Sequence, residues 1–176
     1  GSKRPVAFEH YHDESRFHLF LSHVWSTGQD QVLSIKKELV LLVPTLKVWV
    51  DVENLTNVAD LEGSITACDM TLLFMSKDYF QSWNCLLEVR HAVFVHFAGL
   101  HSDAEKQTPT DGGERQARAA VNMQRKNLGI PHGASSIILV RETDEQNHGG
   151  LPKQQLLEQC PAQIGCGDHT KEFNLE

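Results

Sequence analysis

The chain has 176 residues, a size that fits one domain able to bury its own core. Hydrophobic residues make up 40% of it and charged residues 22%, which is typical of globular domains and excludes a disordered chain. The formal net charge of −7 argues against nucleic acid or an anionic membrane surface as a partner, because both require a basic face.

The N-terminal residues are set apart from the rest of the chain. Residues 1–2 are interpreted as an expression scar, residues 3–15 as an N-terminal extension, and residues 16–176 as one domain. No signal peptide is recognised, and the four cysteines lack the spacing of a zinc site. We therefore expect reduced thiols, no metal site, no membrane contact from this segment and a cytoplasmic location.

Strand and helix patterns alternate through the first 50 residues. The short apolar segment at 17–22 predicts a first strand. Gly28 is expected to break the chain before a helix at 29–43, which Pro44 ends. The alternating segment at 46–50, rich in β-forming residues, predicts a second strand.

The middle of the chain continues the alternation. We expect a loop at 51–59, followed by a short helix with Asp60 as its N-cap and Cys68 near its end. The apolar segment at 70–75 predicts a third strand. A long helix is expected from the N-cap Ser82 to about Phe97, before a stop at a glycine.

The last third is less regular. A polar segment at 101–113 predicts a loop, and 114–128 is a candidate helix. The apolar segment at 136–140 predicts a fourth strand, and 151–159 predicts a short helix. The tail that follows is interpreted as one more strand or as an edge segment.

Apolar strands separated by helices predict an α/β fold in which a parallel sheet is covered on both faces. About five strands favour the flavodoxin-like order 2-1-3-4-5. Ligands of such sheets bind beyond the carboxyl ends of the strands, where the order reverses, here between strands 1 and 3. Trp83, Cys85 and Glu88 are expected near this crevice.

Glu88 is a carboxylate in an otherwise apolar stretch. At about 100° per residue, it falls on the border between an apolar arc and a narrow polar arc of its helix. The simpler alternative is a solvated surface glutamate. Likewise, His23 could be only a strand-end residue, and Trp25 and Trp83 could be only packing residues at the rim.

Several ordered segments carry a resemblance to a known family: F-H-L-F-L-S-H at 17–23, V-W-V-D-V-E-N-L at 48–55, D-L-E-G-S-I at 60–65, and L-L-F-M-S-K-D-Y-F-Q-S-W-N-C-L-L-E-V at 72–89. The sequence resembles a TIR domain (Toll/interleukin-1 receptor/resistance protein). It looks closest to an algal and protist subgroup that carries S-H-V-W-x-T-G-Q-D-Q, here at 22–31. The resemblance covers about 16–176, with an inserted loop and helix at about 101–131.

The resemblance implies an activity. Many TIR domains of this kind are NAD⁺ glycohydrolases, which release nicotinamide and form ADP-ribose or its cyclic isomers in signalling or defence proteins, including those of innate immunity. NAD⁺ would be the substrate, and no cofactor is implied. Other TIR domains would be partners through homotypic association. The alternative is a TIR signalling module without catalysis that acts by this assembly alone, and a weaker one is an enzyme acting on other nucleotides.

The resemblance also implies roles for individual residues. The C-x-x-E motif of the family maps onto Cys85 and Glu88, which makes Glu88 the catalytic residue. The implied substrate-binding residues are His23, Val24 and Trp25 at the nicotinamide end, Leu55 and Thr56 in a mobile loop beside it, Cys85, and Trp83 as a stacking residue.

The sequence departs from the family pattern at two places near this site. Asn84 stands where an NAD⁺-cleaving animal member of the family has an aromatic residue, with Trp83 one position earlier, so the stacking role is in question. The loop at 53–59 has none of the glycine that is common there in other TIR domains.

Overall fold

A computed structural model describes residue 11 and residues 14–54, 60–103 and 136–161, with side chains in the helix described only to residue 96. The predicted helix at 114–128, nearly all of the insertion at 101–131 and the tail from 162 onward lie outside the described residues.

Strands and helices alternate along the described chain, as the sequence predicts. In chain order they are β1 (Phe17–Ser22), α1 (Trp25–Leu42), β2 (Val48–Val50), α2 (Asp51–Asn54), α3 (Leu61–Thr66), β3 (Cys68–Met75), a 3₁₀ turn (Tyr79–Gln81), α4 (Trp83–Asp103), β4 (Ser136–Arg141) and α5 (Lys153–Gln159).

The four described strands form one parallel sheet in the order β2-β1-β3-β4. This confirms the α/β class and the predicted order for these strands, and it is consistent with a flavodoxin-like fold. The fifth strand was expected in the tail, which lies outside the described residues. Of the helices that the structure describes, none is both long and apolar enough to cross a membrane.

Both faces of the sheet are covered over β1, β2 and β3, as expected for strands that are apolar on two sides, whereas Ile138 and Leu139 of the edge strand β4 are 40% and 41% exposed. Side chains of α1 pack on one face and those of α3, α4 and α5 on the other. The first face holds a core cluster that includes Leu19, Leu21, Val32 and Phe74. The second face holds two clusters that include Phe20, Trp49, Ile65 and Ala92, and Leu73, Tyr79, Cys85, Val89 and Leu156.

Helix α1 begins at Trp25, so the prediction that Gly28 breaks the chain is wrong. The N–H of Gly28 donates to the carbonyl of Val24 over 2.8 Å and helps to form the first turn. A Cβ atom at Gly28 would lie 3.1 Å from the ring of Phe74 and 3.3 Å from the hydroxyl oxygen of Ser76. Glycine therefore lets α1 approach the sheet edge closely, rather than interrupting the helix.

The predicted loop after β2 is also partly wrong, because residues 51–54 form the short helix α2. Short polar side chains hold this turn. The Asp51 carboxylate accepts the N–H of Val52 over 2.7 Å, and the Asn54 side-chain oxygen accepts that of Val50 over 3.0 Å. Residues 55–59 lie outside the described residues.

Two further boundaries differ from the predictions. Helix α4 continues to Asp103, past the expected end near Phe97, because one glycine weakens a helix by about 1 kcal/mol without ending it. Strand β3 begins at Cys68, which was expected to belong to α3. Asp60 precedes α3 as predicted, but its side chain makes no capping hydrogen bond.

Candidate functional site

The order of the sheet reverses at β1, which pairs with β2 on one side and β3 on the other. The carboxyl ends of these three strands therefore meet at one edge. His23 and Trp25 follow β1, Asp51 follows β2, and the segment that leads into α4 follows β3. This edge is where the sequence analysis expected a ligand.

Ser82 sets the start of α4 and thereby the direction in which Glu88 points. Its hydroxyl oxygen accepts the N–H of Cys85 over 3.4 Å, and its carbonyl accepts that of Leu86 over 3.0 Å, as expected for the predicted N-cap. Cys85 and Glu88, three residues apart, then face the sheet together. Only 3% of Glu88 is exposed, so the alternative of a solvated surface glutamate is wrong. Glu88 is also buried more deeply than its predicted border position implies.

Glu88 ends a chain of three hydrogen-bonded side chains from three different segments. The hydroxyl of Ser22, the last residue of β1, donates to Oε2 of Glu88. The hydroxyl oxygen of Tyr79, in the turn after β3, lies 2.5 Å from that of Ser22. All three residues are buried. The carboxyl group of Glu88 is thus anchored to the end of β1.

Burial raises the pKa of Glu88 from its ordinary value of 4.5 to about 8. The hydrogen bond from Ser22 favours the charged form and opposes this rise, whereas the negative charge of Asp51 adds to it. The carboxyl group therefore holds its proton at neutral pH and ionises in mildly alkaline solution. Such a perturbed acid in a crevice is a common property of functional sites.

His23 is a buried histidine whose ring nitrogens both lack a hydrogen-bond partner among the described residues. A carboxylate oxygen, Oδ1 of Asp51, lies 3.7 Å from its Nε2. Burial lowers the pKa of His23, although Asp51 and the backbone of Leu21 oppose this, so the ring is neutral at pH 7. A neutral imidazole has one donor and one acceptor, and leaving both unpaired in the interior is unfavourable. A bound ligand would satisfy them.

Asp51 links these residues and was missed by the sequence analysis. Its carboxylate accepts the indole N–H of Trp25, lies near His23, and acts electrostatically on Glu88. The signal was present in the sequence, because V-W-V-D places an acidic residue directly after a strand that flanks β1. A side chain at that position meets the same edge as the residues after β1.

Cys85 is buried beside the site and contacts the backbone of His23. Its thiol donates to the carbonyl of His23, with Sγ 3.3 Å from the oxygen. Burial raises the pKa of this thiol to about 12, with Glu88 adding to the rise, so Cys85 is not a nucleophile at neutral pH. Cys85, like the other described cysteines Cys68 and Cys160, is a free thiol.

The remaining predicted residues are placed as follows. Val24 packs in the core cluster under α4, and its carbonyl starts α1. Trp25 is 58% exposed and Trp83 is 65% exposed, so both indole rings lie at the surface of the described structure rather than in its core. Leu55 and Thr56 lie outside the described residues.

Trp25 also lines a cleft of about 770 Å³ on the face of the sheet that α1 covers. The first three turns of α1 form one wall, and Glu142 and the segment 147–149 form another. A volume of this size suits a ligand of several hundred daltons. The chain matches no protein-family model, and no curated protein is significantly similar to it.

Proposed function

We propose that this chain is an NAD⁺ glycohydrolase of the TIR type, which cleaves the bond between nicotinamide and ribose in a cytoplasmic signalling or defence protein. The observation that carries the proposal is the buried carboxyl group of Glu88 at the edge where the sheet order reverses. The resemblance of 17–23 and 72–89 to TIR domains supports the choice of substrate.

One carboxylate is sufficient for this reaction. Most glycoside hydrolases use two, since the leaving alkoxide requires a proton. Nicotinamide is attached to the ribose as a pyridinium, so it leaves with the electrons of the C–N bond as a neutral molecule. The ribose then carries the positive charge, which an ionised Glu88 would stabilise. Water adds to the same carbon and loses a proton, which gives ADP-ribose.

Two features at the same edge of the sheet suit this substrate. The unpaired nitrogens of His23 would pair with hydroxyl groups of the ribose or with the carboxamide of nicotinamide. The cleft that Trp25 lines, whose lining includes neither His23 nor Glu88, has the volume to hold the remainder of a dinucleotide. Since only 3% of Glu88 is exposed, its covering residues must open before a ribose can reach the carboxyl group.

The function is tested by measuring the nicotinamide released from NAD⁺ by the purified protein with chromatography. We expect release by the wild type and its loss, by at least about a hundredfold, in Glu88→Ala. Glu158→Gln is the matched control, since Glu158 is an exposed glutamate on α5. No release from either protein at high protein concentration would overturn the proposal, and equal release by both would refute the catalytic role of Glu88.

A second candidate function is homotypic assembly without catalysis. It is favoured by exposed apolar side chains that follow β1 and β2 or begin α4, namely Trp25, Val52 and Trp83. Light scattering with and without NAD⁺, beside the nicotinamide assay, separates the two functions. Assembly without nicotinamide release would favour this second function.

A further inference from the structure

We infer that Ser22 is the positioning residue for Glu88 and that Tyr79 in turn orients Ser22. This inference rests on the proposed function, in which Glu88 acts as an ionised carboxylate beside the ribose. Neither Ser22 nor Tyr79 touches the reacting bond in this mechanism. Their role is to hold Oε2 of Glu88 in place and to favour the charged form of the carboxyl group.

The three side chains come from segments that the fold fixes independently. Ser22 ends the central strand β1, where its Cα pairs with that of Leu73 in β3. Tyr79 is fully buried in the 3₁₀ turn after β3, and Glu88 lies in the second turn of α4. Because all three are buried, solvent does not compete for their hydrogen bonds.

The number of hydroxyl hydrogen atoms determines which group donates in each of these two hydrogen bonds. Ser22 has one hydroxyl hydrogen, which it donates to Oε2 of Glu88 when the carboxyl group is ionised. The contact of 2.5 Å between the hydroxyl oxygens of Ser22 and Tyr79 then requires Tyr79 to be the donor. When Glu88 is protonated, it can donate to Ser22, which in turn donates to Tyr79. The same three groups therefore remain paired in both protonation states.

Three titratable groups lie around this series of hydrogen bonds, namely His23 after β1, Asp51 at the start of α2 and Cys85 on α4, and Tyr79 is a titratable member of the series itself. Burial raises the pKa of the Cys85 thiol to about 12 and that of Tyr79 well above its ordinary value, so both stay protonated in mildly alkaline solution. Burial lowers the pKa of His23, which stays neutral there. A rise in activity near pH 8 would therefore report Glu88.

The test is the pH profile of kcat/KM for nicotinamide release, which reports groups of the free enzyme. Ser22→Ala removes a hydrogen bond to a charged group. We therefore expect the midpoint of the acid limb in its kcat/KM profile to move to higher pH by about 1 to 2 units. Tyr79→Phe should move it in the same direction by less. Thr71→Val is the matched control, because Thr71 is a fully buried hydroxyl in β3 without a hydrogen-bond partner among the described residues, and its profile should coincide with that of the wild type.

The result separates this inference from the proposed function. If Glu88→Ala abolishes nicotinamide release but the acid limbs of Ser22→Ala and the wild type coincide, the role of Ser22 is refuted and the function stands. If Glu88→Ala stays as active as the wild type, the catalytic role of Glu88 in the proposed function is refuted, and the role of Ser22 with it. The titration of Glu88 can also be measured directly from the infrared C=O stretching band of its protonated carboxyl group. This band is assigned as the one that is absent from Glu88→Gln. An equal pH midpoint of this band in wild type and Ser22→Ala would overturn the inference.

Discussion

At the scale of single residues, the environment of Glu88 decides its chemistry more than its identity does. An exposed glutamate is ionised throughout the neutral range, whereas burial here raises the pKa of Glu88 to about 8. The nearby negative charge of Asp51 acts in the same direction. A pyridinium approaching this site would favour the ionised form, since its positive charge opposes both effects.

This environment predicts that kcat/KM for nicotinamide release rises with pH up to about 8. The active form is the carboxylate, so each pH unit below that value should reduce kcat/KM about tenfold. The rise in kcat should end at lower pH, because the bound pyridinium lowers the pKa of Glu88 in the complex. Initial rates from about pH 5.5 to about pH 9, at NAD⁺ concentrations above and below KM, test the pH dependence of both kcat and kcat/KM. A flat profile, or one that falls with pH, would contradict this prediction.

At the scale of elements, the close approach of α1 to the sheet edge depends on Gly28. Alanine is favoured over glycine by about 1 kcal/mol within a helix, so a glycine near the start of α1 requires a packing reason. A Cβ at Gly28 would have Phe74, Ser76 and His23 as its nearest neighbours, with atoms at 3.1 to 3.4 Å. The same contact places the first turn of α1 beside the histidine of the candidate site.

A pair of glycine substitutions tests this interpretation. Gly63 in α3 has nothing within 4 Å of an added Cβ, so Gly63→Ala should stabilise the protein by about 0.5 to 1 kcal/mol. Gly28→Ala should fall short of that gain, because its methyl group must displace buried neighbours. Urea denaturation of the two variants and the wild type gives the comparison. Equal gains in free energy of unfolding would show that Gly28 is not required for packing.

The elements also show what the sequence could and could not predict. Strand β1 is observed at its predicted bounds, because its apolar run is bordered by polar residues. The start of α1 was missed because Gly28 serves a close contact with the sheet, and the length of α4 was missed because a single glycine weakens a helix without ending it. The place of Asp51 directly after β2 was a usable signal, but its partners, Trp25 and Glu88 among them, are distant in the sequence and could not be read from it.

At the scale of the whole molecule, the fold explains how a carboxyl group comes to be buried in this place. Parallel strands covered on both faces leave the carboxyl edge as the place where polar side chains from several strands meet. The sheet order was predictable from alternating apolar strands and helices. The hydrogen bonds of Ser22 were not, because nothing in F-H-L-F-L-S indicates which hydroxyl will meet Glu88.

Burial of Glu88 should make the stability of the whole protein depend on pH. Its pKa is about 8 in the folded state and near 4.5 in the unfolded state, so the folded state binds more protons between these values. The contribution of the Glu88 carboxyl group to the free energy of unfolding is therefore fully present below about pH 4.5 and is lost as the pH rises through about 8. The expected slope is up to about 1.4 kcal/mol per pH unit.

Glu88→Gln should remove this dependence, because glutamine does not ionise. The difference in free energy of unfolding between Glu88→Gln and the wild type should therefore grow in favour of the variant from about pH 5 to about pH 8. Urea denaturation at several pH values, with Glu158→Gln run in parallel, isolates the effect from that of other ionisable groups. A difference that is the same at every pH would mean that Glu88 ionises equally in the folded and unfolded states. The carboxyl group would then not have the environment that the catalytic proposal requires.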